Sequence, residues 1–138
     1  MLRAIIIDDV ETIRKKNIAL IQANCPSINI IGQADGVNTG IQLIRQLLPD
    51  LIFLDVEMPD GTGFDLLQQL MPFTFKVIFI TGYEDFAIRA FRFSAIDYLL
   101  KPLNASDLIE AVKKAEAALS KEVFDVKLHN LFANLERP

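Results

Sequence analysis

The sequence predicts an α/β domain built on a parallel sheet, with five strands each followed by a helix. Two observations carry that reading. Apolar runs of four to seven residues alternate with segments whose apolar residues recur at helical spacing, the pattern of successive βα units. The first, third and fourth runs are almost unbroken Ile, Leu, Val and Phe, as expected of strands covered by helices on both faces.

Strands are predicted over Arg3–Ile7, Ile28–Ala34, Leu51–Leu54, Lys76–Ile80 and Asp97–Leu100. Between the first two, Ile13, Ala19 and Leu20 fall on one helical stripe. A second helix is expected to start at Gly40, with Ile41, Ile44, Leu47 and Leu48 at helical spacing. Phe64, Leu67 and Leu70 mark a third, and Ala87, Ala90 and Phe91 a short fourth. The fifth begins after Asn104, where Asn104-Ala105-Ser106-Asp107 offers several capping side chains, and runs on through Leu108, Ile109, Val112, Ala115 and Leu119. Pro49, Pro59, Pro72 and Pro102 all fall at proposed element ends, where proline is tolerated. Chain chirality makes the crossovers right-handed. Beyond about Ser120 the pattern loosens into Val123, Phe124, Val126, Leu128, Leu131 and Phe132 among polar residues. The chain therefore divides into a domain over 1–120 and a tail over 121–138, either a helix extension or a linker.

At 138 residues, 51% of them hydrophobic and 23% charged, the chain has the size of one domain with its own core and is not disordered. No apolar run approaches the ~20 residues of a membrane span. The opening Met1–Ile7 stops at two aspartates and reads as a buried strand rather than a signal peptide. The single cysteine, Cys25, rules out an internal disulfide and suits a reducing cytoplasm, the expected location. It reads as filler at a helix end. Net charge is −4, and the longest basic cluster, Arg14-Lys15-Lys16, reads as the solvated face of a helix. Nucleic-acid binding by this chain alone is not expected.

In an open α/β sheet, functional residues collect at the carboxyl ends of the strands. Here those ends carry Asp8-Asp9, Asp55, Thr81 and Lys101-Pro102. Crowded aspartates repel unless a cation sits among them, and a small oxygen-only ligand set favours Mg²⁺. Asp9 and Asp55 are the expected direct ligands, with Asp8 binding directly or through water; the backbone carbonyl of Glu57 could add another oxygen. A carboxylate can be the nucleophile in phosphoryl transfer, and Asp55, central at the end of Leu51-Ile52-Phe53-Leu54, is the best candidate. Lys101 could pair with a phosphoryl oxygen and Thr81 donate a hydrogen bond to one.

The segments Ile5-Ile6-Ile7-Asp8-Asp9, Phe53-Leu54-Asp55-Val56-Glu57-Met58-Pro59-Asp60-Gly61 and Tyr98-Leu99-Leu100-Lys101-Pro102 resemble the signature blocks of response-regulator receiver domains, in order and over roughly residues 3–119. The run from Ile80 to Leu103 is similar to receivers that precede LytTR-type DNA-binding domains. The resemblance implies a flavodoxin-like, doubly wound (βα)₅ fold with strand order 2-1-3-4-5 and a cis bond between Lys101 and Pro102. It also implies a two-component switch: a sensor histidine kinase phosphorylates Asp55, Thr81 moves toward the phosphoryl group, and Tyr98 turns inward. The surface of the fourth helix, fifth strand and fifth helix then changes, a face open to homodimerisation. DNA would be reached only through an output domain missing from this chain, with no role for a membrane. The domain would catalyse only its own phosphorylation and dephosphorylation, and so is not an enzyme in the usual sense. Two departures stand out: Val10 follows the acidic pair where many relatives carry an acid, Glu11 coming one place later, and Gly82 follows Thr81 where alanine is commoner.

Each residue has a blander reading. Asp8-Asp9 could cap a helix, Thr81 could merely end a strand, and Tyr98 could be core. Gly61 and Gly63 are turn residues, since no lysine follows to make a P-loop. His129, the only histidine, reads as a solvated side chain. Phe86, Phe91, Phe93 and Tyr98 divide between core and partner face. Two other functions share this pattern: a pseudo-receiver that no longer takes phosphate, and a haloacid-dehalogenase-type phosphatase. The second wants an aspartate two residues after the nucleophile, where this chain has Glu57.

Overall fold

The computed structural model describes Met1–Leu135. The five apolar runs form β1 (Leu2–Ile7), β2 (Ile28–Ala34), β3 (Leu51–Leu54), β4 (Lys76–Thr81) and β5 (Asp97–Leu100). All pair parallel, in the order 2-1-3-4-5. The helices are α1 (Glu11–Asn24), α2 (Val37–Leu47), α3 (Gly63–Leu70), α4 (Ala87–Arg92) and α5 (Ala105–Leu135). A short antiparallel hairpin, Glu57–Met58 against Gly61–Thr62, separates β3 from α3.

Side chains alternate across a strand, so the sheet sorts its residues into two cores. Ile5, Ile7, Ile52, Leu54 and Phe79 face α2, α3 and α4, meeting Ile41, Ile44, Phe64, Leu67 and Ala90. Ala4, Ile6, Phe53, Ile78 and Ile80 face α1 and α5, meeting Ile21, Leu108, Ala111, Val112 and Ala115. Two-sided cover is why β1, β3 and β4 read as unbroken apolar runs.

Several element details depart from the expectations above. The second helix starts at Val37, three residues before Gly40. Its start is fixed from far along the chain: Asp60 Oδ1 accepts the Val37 N–H at 2.8 Å and Asp60 Oδ2 that of Asn38 at 3.0 Å. Those two bonds hold the Asp60 carboxyl below the usual range. Gly40 is instead an interior helix position, where a Cβ would come within 2.9 Å of Leu66 and 3.0 Å of Ile7. Leu48 is not on the stripe. It closes the helix in the left-handed conformation (φ 48°) ahead of Pro49, and its side chain is exposed. The first helix buries Ile21 and Asn17 and leaves Ala19 exposed. Cys25 is buried at the end of that helix. Asn104 caps the fifth helix, its Oδ1 accepting the Asp107 N–H at 2.8 Å. This helix continues through Ser120 without interruption to Leu135, and His129 is exposed on it; Glu136–Pro138 lie outside the described residues. Phe86 and Phe93 pack against the core, whereas Phe91 is 82% exposed.

Asn17 is the exception in the interior: its buried Nδ2 has no partner among the described residues. An unsatisfied buried polar group costs about 1–3 kcal/mol. Asn17→Leu, which removes the donor and keeps most of the volume, is therefore expected to stabilise the domain by about that amount. Urea unfolding should show a higher midpoint with an unchanged slope; a lower midpoint would refute the account.

Candidate functional site

The parallel register sets strand ends side by side. Ile7 pairs with Leu54, so Asp8 and Asp55 leave the sheet together, and Thr81 pairs with Leu100, so Lys101 leaves beside it. Both links are continued by the backbone, with the Asp55 N–H donating to the Ile7 carbonyl at 3.0 Å and the Lys101 N–H to the Thr81 carbonyl at 2.8 Å. Pro102 follows across a cis peptide bond.

Carboxylate oxygens of Asp8, Asp9 and Asp55 lie within 4.8 Å of one another. Asp8 and Asp55 are buried and Asp9 is partly exposed. Lys101 Nζ bridges the buried pair, 2.7 Å from Asp8 Oδ2 and 2.9 Å from Asp55 Oδ2. The remaining oxygens are held by backbone: Asp55 Oδ1 accepts the Val56 N–H at 2.7 Å and Asp8 Oδ1 the Val10 N–H at 2.9 Å. Asp8 thus makes a local turn and does not cap α1, whose N-cap, Val10, has no side-chain bond. Burial pushes the Asp55 carboxyl up, against the opposing pull of Lys101 and the Val56 N–H. For Lys101, burial disfavours the ammonium, but its bonds to Asp8 and Asp55 outweigh that and the net direction is upward.

Thr81 is fully buried at the end of β4, its Oγ1 accepting the Tyr83 N–H at 3.3 Å. Tyr98 is half-buried on β5; its ring lies 6.0 Å from that of Phe79 and its hydroxyl donates to the Tyr83 carbonyl. Glu57 opens the hairpin just beyond Asp55. A cleft of about 660 Å³ above these residues is lined by Asp9, Val10, Asp55, Glu57, Tyr83 and Lys101, among others. Tyr83 was not singled out from the sequence. It sits two places past a strand end in an irregular stretch, and only the fold reveals that its phenol, pushed up by the Glu57 carboxylate, faces this cleft.

A model of the response regulator receiver domain matches residues 4–113. The chain belongs to that family. Receivers of known structure share its fold: that of mrkE from Klebsiella pneumoniae is 27% identical, with a TM-score of 0.78 over 87% of this chain and 99% of that one. The receiver of AraT, a response regulator from Geobacillus stearothermophilus, is 30% identical, with a TM-score of 0.77 over 88% and 97%. Among curated relatives, an uncharacterized response regulatory protein of Vibrio cholerae is 41% identical over 83% of this chain and 48% of its own. The sensory transduction protein LytT of Bacillus cereus is 31% identical over 83% and 47%. The chain spans about half the length of these curated relatives. It is a response-regulator receiver domain. Among the described residues no helix is long and apolar enough to cross a membrane.

Within this receiver domain the two departures take physical form. Val10 lines the cleft, while Glu11 turns to the surface and pairs with Lys15 at 2.9 Å, so the acid one place later adds no ligand to the cleft. Gly82 has open space where a Cβ would be. Gly63 is the glycine the site depends on. A Cβ there would stand 2.4 Å from the Asp55 carbonyl oxygen and 3.0 Å from Leu54, and the Gly63 N–H donates to the Val56 carbonyl at 2.7 Å. Gly63→Ala must displace the backbone that carries Asp55, and is expected to destabilise the receiver by about 1–3 kcal/mol. A chemical denaturation curve indistinguishable from wild type would contradict this.

Proposed function

We propose that Asp55 accepts a phosphoryl group from a sensor histidine kinase, with Mg²⁺ bound by Asp8, Asp9 and Asp55, and that this switches the receiver. The observation that carries the proposal is Lys101 Nζ held between Asp8 and Asp55 inside a cluster of three carboxylates. The donor set fits the ion. Three aspartates and one lysine leave a formal deficit of two charges, all the clustered donors are hard oxygens, and partial exposure at Asp9 leaves room for water. The Glu57 carbonyl, on the loop after Asp55, is the proposed further ligand. Bound there, Mg²⁺ would neutralise charge on the phosphoryl oxygens.

The chain's own residues do the rest. An Asp55 carboxylate oxygen forms the new O–P bond as the P–N bond to the kinase histidine breaks. Lys101, already poised on Asp55, pairs with a phosphoryl oxygen, and Thr81 donates a hydrogen bond to another once its hydroxyl turns toward the site. Tyr98, tethered to the Tyr83 carbonyl just beyond Thr81, follows that loop. The surface of α4, β5 and α5 changes with it, a local charge event biasing a two-state element. That face, where Ile88 and Phe91 are exposed, is the proposed homodimer contact. The output it governs is proposed to be a LytTR-type DNA-binding domain in the cytoplasm. Similarity over Ile80–Leu103 supports this, as do relatives about twice as long that include a LytT protein.

Intact-mass analysis after incubation with acetyl phosphate tests the reading. One phosphoryl group gained with Mg²⁺ and lost with EDTA is the expected outcome. No gain with acetyl phosphate or with a kinase would favour a pseudo-receiver, and steady turnover of a phosphate monoester would favour a phosphatase.

A further inference from the structure

Ile13, Asn17 and Leu20 succeed one another at spacings of four and three, so they share one face of α1. That face and the segment Lys101-Pro102-Leu103, between β5 and α5, line a cavity of about 580 Å³. Small-molecule sites occupy roughly 300–1,000 Å³. The walls are aliphatic apart from three polar side chains, Asn17, Lys16 and Lys101. Asn17 is 5% exposed, and its buried Nδ2 has no acceptor among the described residues. Lys16 is exposed at the rim and makes no ion pair among those residues. Lys101 already holds Asp8 and Asp55. Among the described residues no acid and no aromatic ring lines the cavity.

We propose that this cavity binds a small aliphatic carboxylate, its chain against Ile13, Leu20 and Leu103 and a carboxylate oxygen accepting from Asn17 Nδ2. Three observations select that occupant. First, a buried donor without a partner costs stability, and only an occupant that brings an acceptor relieves it. An apolar helix of another protein would cover the cavity and leave the donor unpaired. Second, two lysines and no acid in the lining favour an anionic acceptor, whose hydrogen bond to the amide is also the stronger kind. Third, aliphatic walls match an aliphatic chain. On this account Asn17 is retained at the expense of the fold because it serves binding. The cavity shares only Lys101 with the acidic cleft, and its occupancy does not depend on the phosphorylation proposed for Asp55.

Titration of the isotope-labelled 138-residue chain with octanoate, followed by NMR without phosphodonor, tests the site. Octanoate should shift, saturably, the amides of Ile13–Ala23, Lys101 and Leu103, together with the side-chain amide of Asn17. Asn17→Leu should weaken binding about tenfold or more, the loss of one charge-assisted hydrogen bond. The same variant is expected to unfold at higher urea, so its loss of binding cannot come from a damaged fold. Octanamide offers the same chain and an acceptor without the charge; it should bind more weakly, and Lys16→Gln should narrow that difference. Shifts that fail to saturate, or that spread over exposed apolar residues of α4 and the end of α5, would overturn the site. So would equal binding to Asn17→Leu. Octanamide binding as tightly as octanoate, or a difference untouched by Lys16→Gln, would overturn the carboxylate as its ligand.

Discussion

Asp55→Asn is expected to gain no mass from acetyl phosphate under conditions that phosphorylate the wild type fully. The amide oxygen still accepts the Val56 N–H, so the end of β3 keeps its shape, but the nucleophile is gone. Neither neighbour substitutes for it. Asp8 is buried, with one oxygen on Lys101 and the other on the Val10 N–H, and Asp9 lies at the partly exposed margin. Fold stability should change little: burial already disfavours the charged form of Asp55, and Lys101 keeps its partner in Asp8. A loss of phosphorylation accompanied by unfolding would be uninformative, so the thermal melt belongs beside the mass spectrum. Acid-labile phosphate retained in a folded Asp55→Asn would remove Asp55 from the nucleophile's role.

Phe64→Ala is expected to carry the largest stability penalty, about 3–5 kcal/mol. Phe64 is buried at the first turn of α3, its ring 5.1 Å from Phe79, 5.7 Å from Phe93 and 6.1 Å from Phe86. The Arg89 guanidinium stands 4.6 Å from its centroid. The ring therefore joins α3 and α4 to β4, and its loss leaves a cavity that three aromatic side chains on different elements cannot close together. Domains of this kind hold only about 5–15 kcal/mol in total, so the variant should be folded but marginal. Urea unfolding that shifts by less than about 1 kcal/mol would show that the cluster rearranges around the gap.

Strand positions were legible because β1, β3 and β4 are short, apolar and covered on both faces, and no strand shifted by more than a residue at either end. Convergence of Asp8, Asp55, Thr81 and Lys101 at one edge followed from topology alone. Helix limits were less legible wherever the determinant is remote. The start of α2 depends on a carboxylate 23 residues downstream, and the role of Gly40 on side chains of β1 and α3. Neither leaves a local pattern. On α5 the apolar residues beyond Ser120 read as a loosening of the core stripe, because nothing local says that the helix runs on past the domain edge to Leu135. Tyr83 was illegible for a different reason. Its position in the cleft depends on the loop after β4, which has no periodicity to read.

The two bonds from Asp60 to the start of α2 have a consequence for how this chain could lengthen. They pin the hairpin after Asp55 to a helix that was formed earlier in the chain, so the stretch from Asp55 to Asp60 acts as a ruler of set length. One residue inserted there would either pull Asp60 off the helix or push Glu57 away from the cleft. Among the described residues, the exposed turn at Met71, Pro72 and Thr74, on the opposite end of the sheet, carries no such tether to a helix start. Added segments should therefore be accommodated at that end, leaving the acidic edge at a fixed length while the rest of the surface varies.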